Sequence, residues 1–260
     1  MEFKRVAEVE NGVLQREFAL CVAGEVVPGV LWTPTHASPH ALIAMGHGGS
    51  SHKQSATIRT RAIRYAQEFA WASLAIDAPH HGERISAAAR ASAQAKTTAR
   101  IKGDLTVPAL TAAEKIQFLD SLAAQAVPEW QTALDTVLAS TVVTADMPLA
   151  YWGVSQGSTI GIPLLAADNR FTCAVLGLAH LHPDHTNLRL AAQKVTIPLR
   201  FAFQWDDTIR NRDYGLALFD AFGSKEKSMH IHPGGHLEIP AAEAASWDQF
   251  FSDHLPYGKA

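Results

Sequence analysis

Apolar positions in this chain fall into short strand-like runs that alternate with longer stretches spaced for helices. Ala41 to Met45 and Ala72 to Asp77 carry almost no polar alternation, as strands covered on both faces do. Further strand-like runs lie at Pro148 to Val154, Cys173 to Leu178, Leu199 to Phe203 and Lys227 to Ile231. Between them, Ala56 to Ala70 places Ile58, Ala62, Tyr65, Ala66 and Phe69 three or four residues apart, the spacing of one helical face. Helical patterns recur at Pro128 to Ala139, Gln156 to Ala167, Asn187 to Gln193, Asp213 to Phe222 and Ala241 to His254. Near the amino end, Arg16 to Val22 and Val26 to Thr33 read as a hairpin around Ala23-Gly24-Glu25. Such alternation predicts an α/β fold with a mostly parallel central sheet and helices on both faces.

One segment breaks the rhythm. Glu83 to about Val127 is too long for a simple connection; Ser86 to Ala99 is rich in alanine, and Thr111 to Gln125 carries a helical stripe through Ile116, Leu119 and Leu122. It is expected to form a small helical cap over the strand ends, inserted at residues 83–127 in a single domain of residues 1–260. Its apolar residues Leu105, Val107, Leu110 and Phe118 point to a partly hydrophobic acyl or alcohol site.

The chain has 260 residues with a formal net charge of -3, and no block of Lys and Arg to face phosphates, so no nucleic-acid partner is expected. No segment approaches the ~20 apolar residues of a membrane helix, and the amino terminus lacks a secretory pattern. No membrane association and a cytoplasmic location are therefore expected. Cys21 and Cys173 both fall in predicted strands and are expected as buried free thiols, in keeping with a reducing compartment. The oligomeric state stays open, with a homodimer among the options.

Candidate chemistry gathers at strand ends. Gly153-Val154-Ser155-Gln156-Gly157 sits where a strand runs into a helix, the setting in which a serine stands clear of the sheet on a sharp turn. Serine attacks only when a base takes its proton and a third group orients the base. Candidates follow in order: Asp206 and Asp207 after one strand, then His236 in Pro233-Gly234-Gly235-His236 after the last. Gln156, first in its helix, offers an N–H to developing negative charge.

These pieces, with Gly46-His47-Gly48-Gly49 and Asp77-Ala78-Pro79-His80-His81-Gly82-Glu83-Arg84, resemble the α/β-hydrolases, nearest their dienelactone-hydrolase-like and acyl-peptidase-like esterase branches. Serine stands at 155 where dienelactone hydrolases proper carry cysteine. The resemblance spans roughly Arg16 to Leu255 and implies about eight strands and a Ser155, His236, Asp207 triad, with Asp207 preferred to Asp206. It also implies an oxyanion hole from Gly49 and Gln156, and a serine carboxylesterase acting on a small-molecule acyl substrate through an acyl-enzyme. Neither metal nor organic cofactor is required by that chemistry. His47, His81, His180 and Trp205 are candidate substrate contacts. Two alternatives stand beside this reading. His180-Leu181-His182-Pro183-Asp184-His185 spells a zinc-hydrolase signature, and the same fold also serves as a non-catalytic ligand-binding scaffold.

Overall fold

The computed structural model describes residues 3–10, 12–104, 106 and 110–255. Its described strands form one sheet of nine: β1 (Arg5–Glu10), β2 (Val13–Val22), β3 (Glu25–Pro34), β4 (Leu42–Gly46), β5 (Ala72–Ile76), β6 (Leu149–Val154), β7 (Phe171–Gly177), β8 (Leu199–Gln204) and β9 (Lys227–His232). Their order across the sheet is β1-β2-β3-β5-β4-β6-β7-β8-β9. The first three and β5 pair antiparallel, and from β5 to β9 every pairing is parallel. The hairpin is longer than the pattern of β-branched residues implied, and β1, with exposed or half-buried side chains throughout, lacks the apolar signature that would have announced it.

Helices cover both faces. α1 (Ala56–Phe69) and α7 (Ala241–His254) pack Ile58, Ala62, Tyr65, Trp247 and Phe251 against Trp32, Ile43, Trp152 and Val175. On the opposite face, α3 (Ala112–Leu138), α4 (Gln156–Ala167), α5 (Thr186–Lys194) and α6 (Arg212–Ala221) bury Trp130, Leu134, Ile160, Leu164, Leu188 and Leu218 over Leu74, Tyr151 and Phe201. Among the described residues, no helix is long and apolar enough to cross a membrane.

Two differences from the pattern-based expectation have physical causes. The spacing predicts a helix from Pro128 separate from the Thr111 to Gln125 stripe; instead α3 runs unbroken through Pro128. Proline removes one intrahelical bond, but the capping box of Thr111 and Glu114 starts the helix, and Leu122, Ala126, Trp130, Ala133, Leu134 and Val137 bury a continuous face on either side. The alanine-rich stretch is a helix, α2 (Ala87–Ile101), begun by Ser86 accepting from the Ala89 N–H, with no side chain buried. Elsewhere in residues 83–127, Leu110 and Phe118 are exposed, while Leu105 and Val107 lie outside the described residues.

Cys173 is buried as expected, but Cys21 is exposed. It stands beside the Ala23-Gly24 turn that closes the hairpin, opposite Val26, itself exposed.

Between the 3-10 turn at Gly82–Arg84 and α3, the Arg84 guanidinium meets the buried Glu129 carboxylate through two bonds of 2.7 and 2.9 Å. Removing one partner of such a pair strands a buried charge. Arg84→Met is therefore expected to lower the unfolding free energy by about 3–5 kcal/mol, read from urea midpoints, and adding Glu129→Leu should restore most of the loss. A single variant as stable as the parent would contradict the pairing.

Candidate active site

Each parallel strand near the sheet centre delivers a tight turn at its carboxyl end, and backbone strain collects there. Ser50, His80, Ser155 and Leu178, which follow β4, β5, β6 and β7, all have positive φ without being glycine. Ser155 is the sharpest case, at φ 58° and ψ -118°, and its amide donates to the Gly177 carbonyl at 2.8 Å. Glycines two residues either side make this turn possible. A Cβ on Gly157 would lie 2.4 Å from the Gly46 carbonyl oxygen, and one on Gly153 only 2.9 Å from the Gly157 backbone. Thus α4 starts almost in contact with the loop after β4, and no side chain fits between them. Ser158 Oγ lies 2.7 Å from the carbonyl oxygens of both Gly153 and Gly177, and accepts from the Gly177 amide at 2.8 Å, binding the first turn of α4 to β6 and β7.

The loops after β8 and β9 meet this serine. His236 Nε2 is 3.0 Å from Ser155 Oγ, and His236 Nδ1 is 2.6 Å from Asp207 Oδ2. The Asp207 side chain is fully buried and its other oxygen accepts the amides of Ile209 and Arg210. Asp206 instead supports the backbone, its Oδ2 accepting from the Gly234 amide at 2.9 Å and so holding the turn that presents His236. An imidazole between a hydroxyl and a buried carboxylate can take the serine proton while the carboxylate balances its charge.

The histidines near β4 and β5 serve the backbone. His47 is buried, donates from Nδ1 to the Gly48 carbonyl and accepts the Ala78 amide on Nε2, so it ties the loop after β4 to the loop after β5. Burial pushes its pKa down to about 4. Both of its nitrogens are occupied, leaving none for the substrate contact expected of it. His81 donates to the Pro79 carbonyl and lies 3.3 Å from Gln156 Nε2, beside the elbow. Gly49 faces the side chain of Gln156, since a Cβ there would sit 3.3 Å from Gln156 Oε1. Beneath these loops Asp77, fully buried, accepts the Lys53 and Glu83 amides and the Lys53 ammonium, and a Cβ on Gly82 would strike its carboxylate.

His180 accepts the Asn211 amide, and burial, followed by the charges of Arg210 and Lys115, lowers its pKa to about 3. Trp205 is exposed, with the Arg212 guanidinium 3.9 Å above its ring; Trp152, on β6, is buried. The zinc-like stretch does not converge. His180 turns to Asn211, His182 accepts the Asp184 amide and His185 pairs with Asp120 on α3 at 2.8 Å.

One neighbour of the serine was not anticipated. Arg210 reaches Ser155 Oγ with Nη2 at 3.3 Å and donates from Nε to the carbonyl of the strained Leu178. Its position three residues after Asp207 was the only signal in the sequence. Lys115, half-buried at the start of α3, has its pKa lowered to about 8 by burial and then by Arg210 and Arg100.

No family model and no curated protein matches the chain. Among solved structures, a PEG-bound complex of a cold-adapted esterase from an Arctic intertidal metagenomic library is similar at 31% identity, over 98% of this chain and 100% of that one, with a TM-score of 0.81. The chain belongs to the α/β-hydrolase esterases. A zinc-bound structure of a cold-adapted esterase from the same library is similar at 28% identity, with the same coverage and a TM-score of 0.75. Acetyl xylan esterase from Paenibacillus sp. R4 shares the fold at 17% identity, covering 98% of this chain and 90% of its own, with a TM-score of 0.69. So does the α/β hydrolase GrgF from Penicillium sp. sh18, at 13% identity, 94% and 99% coverage and a TM-score of 0.64. In this esterase Ser155, Asp207 and His236 follow one another in the serine, aspartate, histidine order expected of that fold.

His47 gives the esterase an acid-sensitive seam. Its folded pKa, near 4, lies below the 6.5 of a free imidazole, so between those values the unfolded chain binds a proton that the folded one refuses. Stability should therefore fall as pH drops from about 6.5 toward 4, at up to about 1.4 kcal/mol per pH unit from this residue. Urea unfolding of His47→Asn across that window should show a shallower slope than the parent; an unchanged slope would exclude the assignment.

Proposed function

We propose that this esterase hydrolyses carboxylic esters by two-step acyl transfer through Ser155, with His236 as general base and acid and Asp207 orienting the imidazole. The observation carrying this reading is the unbroken row from Ser155 Oγ through His236 to the buried Asp207, at 3.0 and 2.6 Å. Ser155 attacks the ester carbonyl while its proton passes to His236 Nε2. The tetrahedral oxyanion collapses, His236 returns the proton to the departing alcohol, and water repeats the sequence on the acyl-enzyme. Gly49 and Gln156, which face each other across the elbow, are assigned the two oxyanion N–H donors. Removing one such donor costs about 3 kcal/mol of barrier. Residues 83–127 are assigned the role of a cap over this site.

The half-buried cation beside the nucleophile narrows the substrate. Arg210 lies against Ser155 Oγ and Lys115 is close enough for their charges to oppose each other. We assign these side chains to an anionic group on the ester, placed near the reacting carbonyl. Esters bearing a free carboxylate are therefore the favoured substrate class.

Ser155→Ala should abolish hydrolysis and labelling by a fluorophosphonate. Asp207→Asn should lower kcat by about 10⁴, as loss of the orienting carboxylate does in such triads, while Asp206→Asn costs less than tenfold; the reverse ranking would move the acid to Asp206. Selectivity for a p-nitrophenyl hemiester over its neutral methyl ester should drop ten- to a hundredfold in Arg210→Met, the ~1.5–3 kcal/mol of a charged hydrogen bond. Equal selectivity in parent and variant would remove Arg210 from substrate recognition.

A further inference from the structure

Away from the triad, on the face covered by α7, two histidines and a carboxylate converge at the edge of the sheet. His230 and His232 are two apart on β9, so their side chains leave the same face. Glu243 stands in the first turn of α7, with its side chain only 1% exposed. Its Oε2 lies 2.8 Å from His230 Nδ1 and 2.9 Å from His232 Nε2. One candidate ligand atom from each residue lies within 4.8 Å of the others, the one such group among the described residues. The second observation is independent of that clustering: Glu243 Oε1 is buried and has no hydrogen-bond partner. A buried carboxylate oxygen left without a donor is costly, and a cation beside this carboxylate would offset the charge that no donor meets there.

We propose that His230, His232 and Glu243 form a site for a divalent transition metal of the zinc class, joining β9 to α7 across the loop that carries His236. Two imidazole nitrogens and one carboxylate oxygen are ligands that zinc accepts, with water as the fourth. Zinc bonds of about 2.0–2.2 Å place ligand atoms roughly 3.3 Å apart, so the N-to-O distances open slightly and the two nitrogens close up. These are side-chain rotations, and the half-exposed imidazole edges leave a path for metal and water. On binding, each neutral ring carries its proton on the nitrogen that does not face the metal, and no electrons are exchanged. The neighbouring charge is Arg200, which is engaged by Ser246 and Ser228 and stacks near Phe250, with Ser246 Oγ 3.5 Å from His230 Nδ1. This arginine turns its donors to serine oxygens rather than to Glu243.

The location gives the site its consequence. His232 ends β9 and Glu243 lies 11 residues later, with His236 between them. A bound ion would close that loop at its base, beneath the bonds from Gly234 to Asp206 and from Gly235 to Glu238 that shape its tip. The role is to hold the loop, and the chemistry at Ser155 needs no metal.

The test uses the full chain, stripped by a chelator and dialysed. Zinc chloride titrated calorimetrically should bind at one equivalent per chain and raise Tm, and cobalt(II) should give the visible absorption of a four-coordinate ion. His230→Ala and His232→Ala should each weaken zinc at least by the ~10–100-fold that losing even an outer-shell partner costs, and should abolish the Tm rise. His182→Ala, in the other histidine cluster, should bind as the parent does. If an alanine variant fails to fold by circular dichroism, His232→Gln is read instead. No zinc binding by the parent, or equal affinity in the parent and the His232 variant, would overturn the proposal and leave the three residues as a hydrogen-bonded cluster alone.

Discussion

The near-contact between the backbone of α4 and the loop after β4 is the constraint on which the site rests. Gly157 approaches the Gly46 carbonyl so closely that even a methyl group would overlap it. That proximity lets Ser155 adopt a conformation costly for any residue with a side chain. The cost is met by bonds that hold the turn from several sides: the Ser155 amide to Gly177, Ser158 Oγ to β6 and β7, and Tyr151 Oη to the Gly157 carbonyl. Ser155 and the loop after β4 are thus positioned by the packed centre of the sheet, not by mobile side chains.

Around this rigid point the loops after successive strands are locked by buried polar groups, each satisfied by its neighbours. Asp77 anchors the loop after β5 through Lys53 and Glu83, His47 bridges the loops after β4 and β5, and Arg84 ties that region to α3. Such pairs add little net stability compared with apolar packing, but an unpaired member is expensive. They therefore select one arrangement of loops over others. Arg210 extends the same logic to function, since the guanidinium that braces Leu178 also reaches the serine hydroxyl.

Residues that resemble one another in the sequence part company in the fold. Asp206 and Asp207 are adjacent, yet one supports the Gly234 turn and the other orients His236. The histidines of residues 180–185 spell a metal motif but face Asn211, Asp184 and Asp120 separately. His230 and His232 carry no recognisable motif, and their partner is contributed by a helix that begins only after the loop carrying His236.

Local spacing was sufficient for most of the framework. The buried strands read at Ala41 to Met45 and Ala72 to Asp77, the limits of α7, the glycines flanking Ser155, and the order of serine, aspartate and histidine are all written in local stretches of residues. Periodicity and turn chemistry act over a few residues, so they are readable without the fold. What lay beyond such reading depends on partners distant in sequence. The passage of α3 through Pro128 rests on burial against the sheet, the low pKa of His47 on desolvation, and the exposure of Cys21 on its place beside the hairpin turn, opposite the exposed Val26. The proximity of Arg210 to Ser155 spans 55 residues. Burial and long-range contact exist only once the strands have chosen their neighbours, and for that reason the tertiary structure alone decided them.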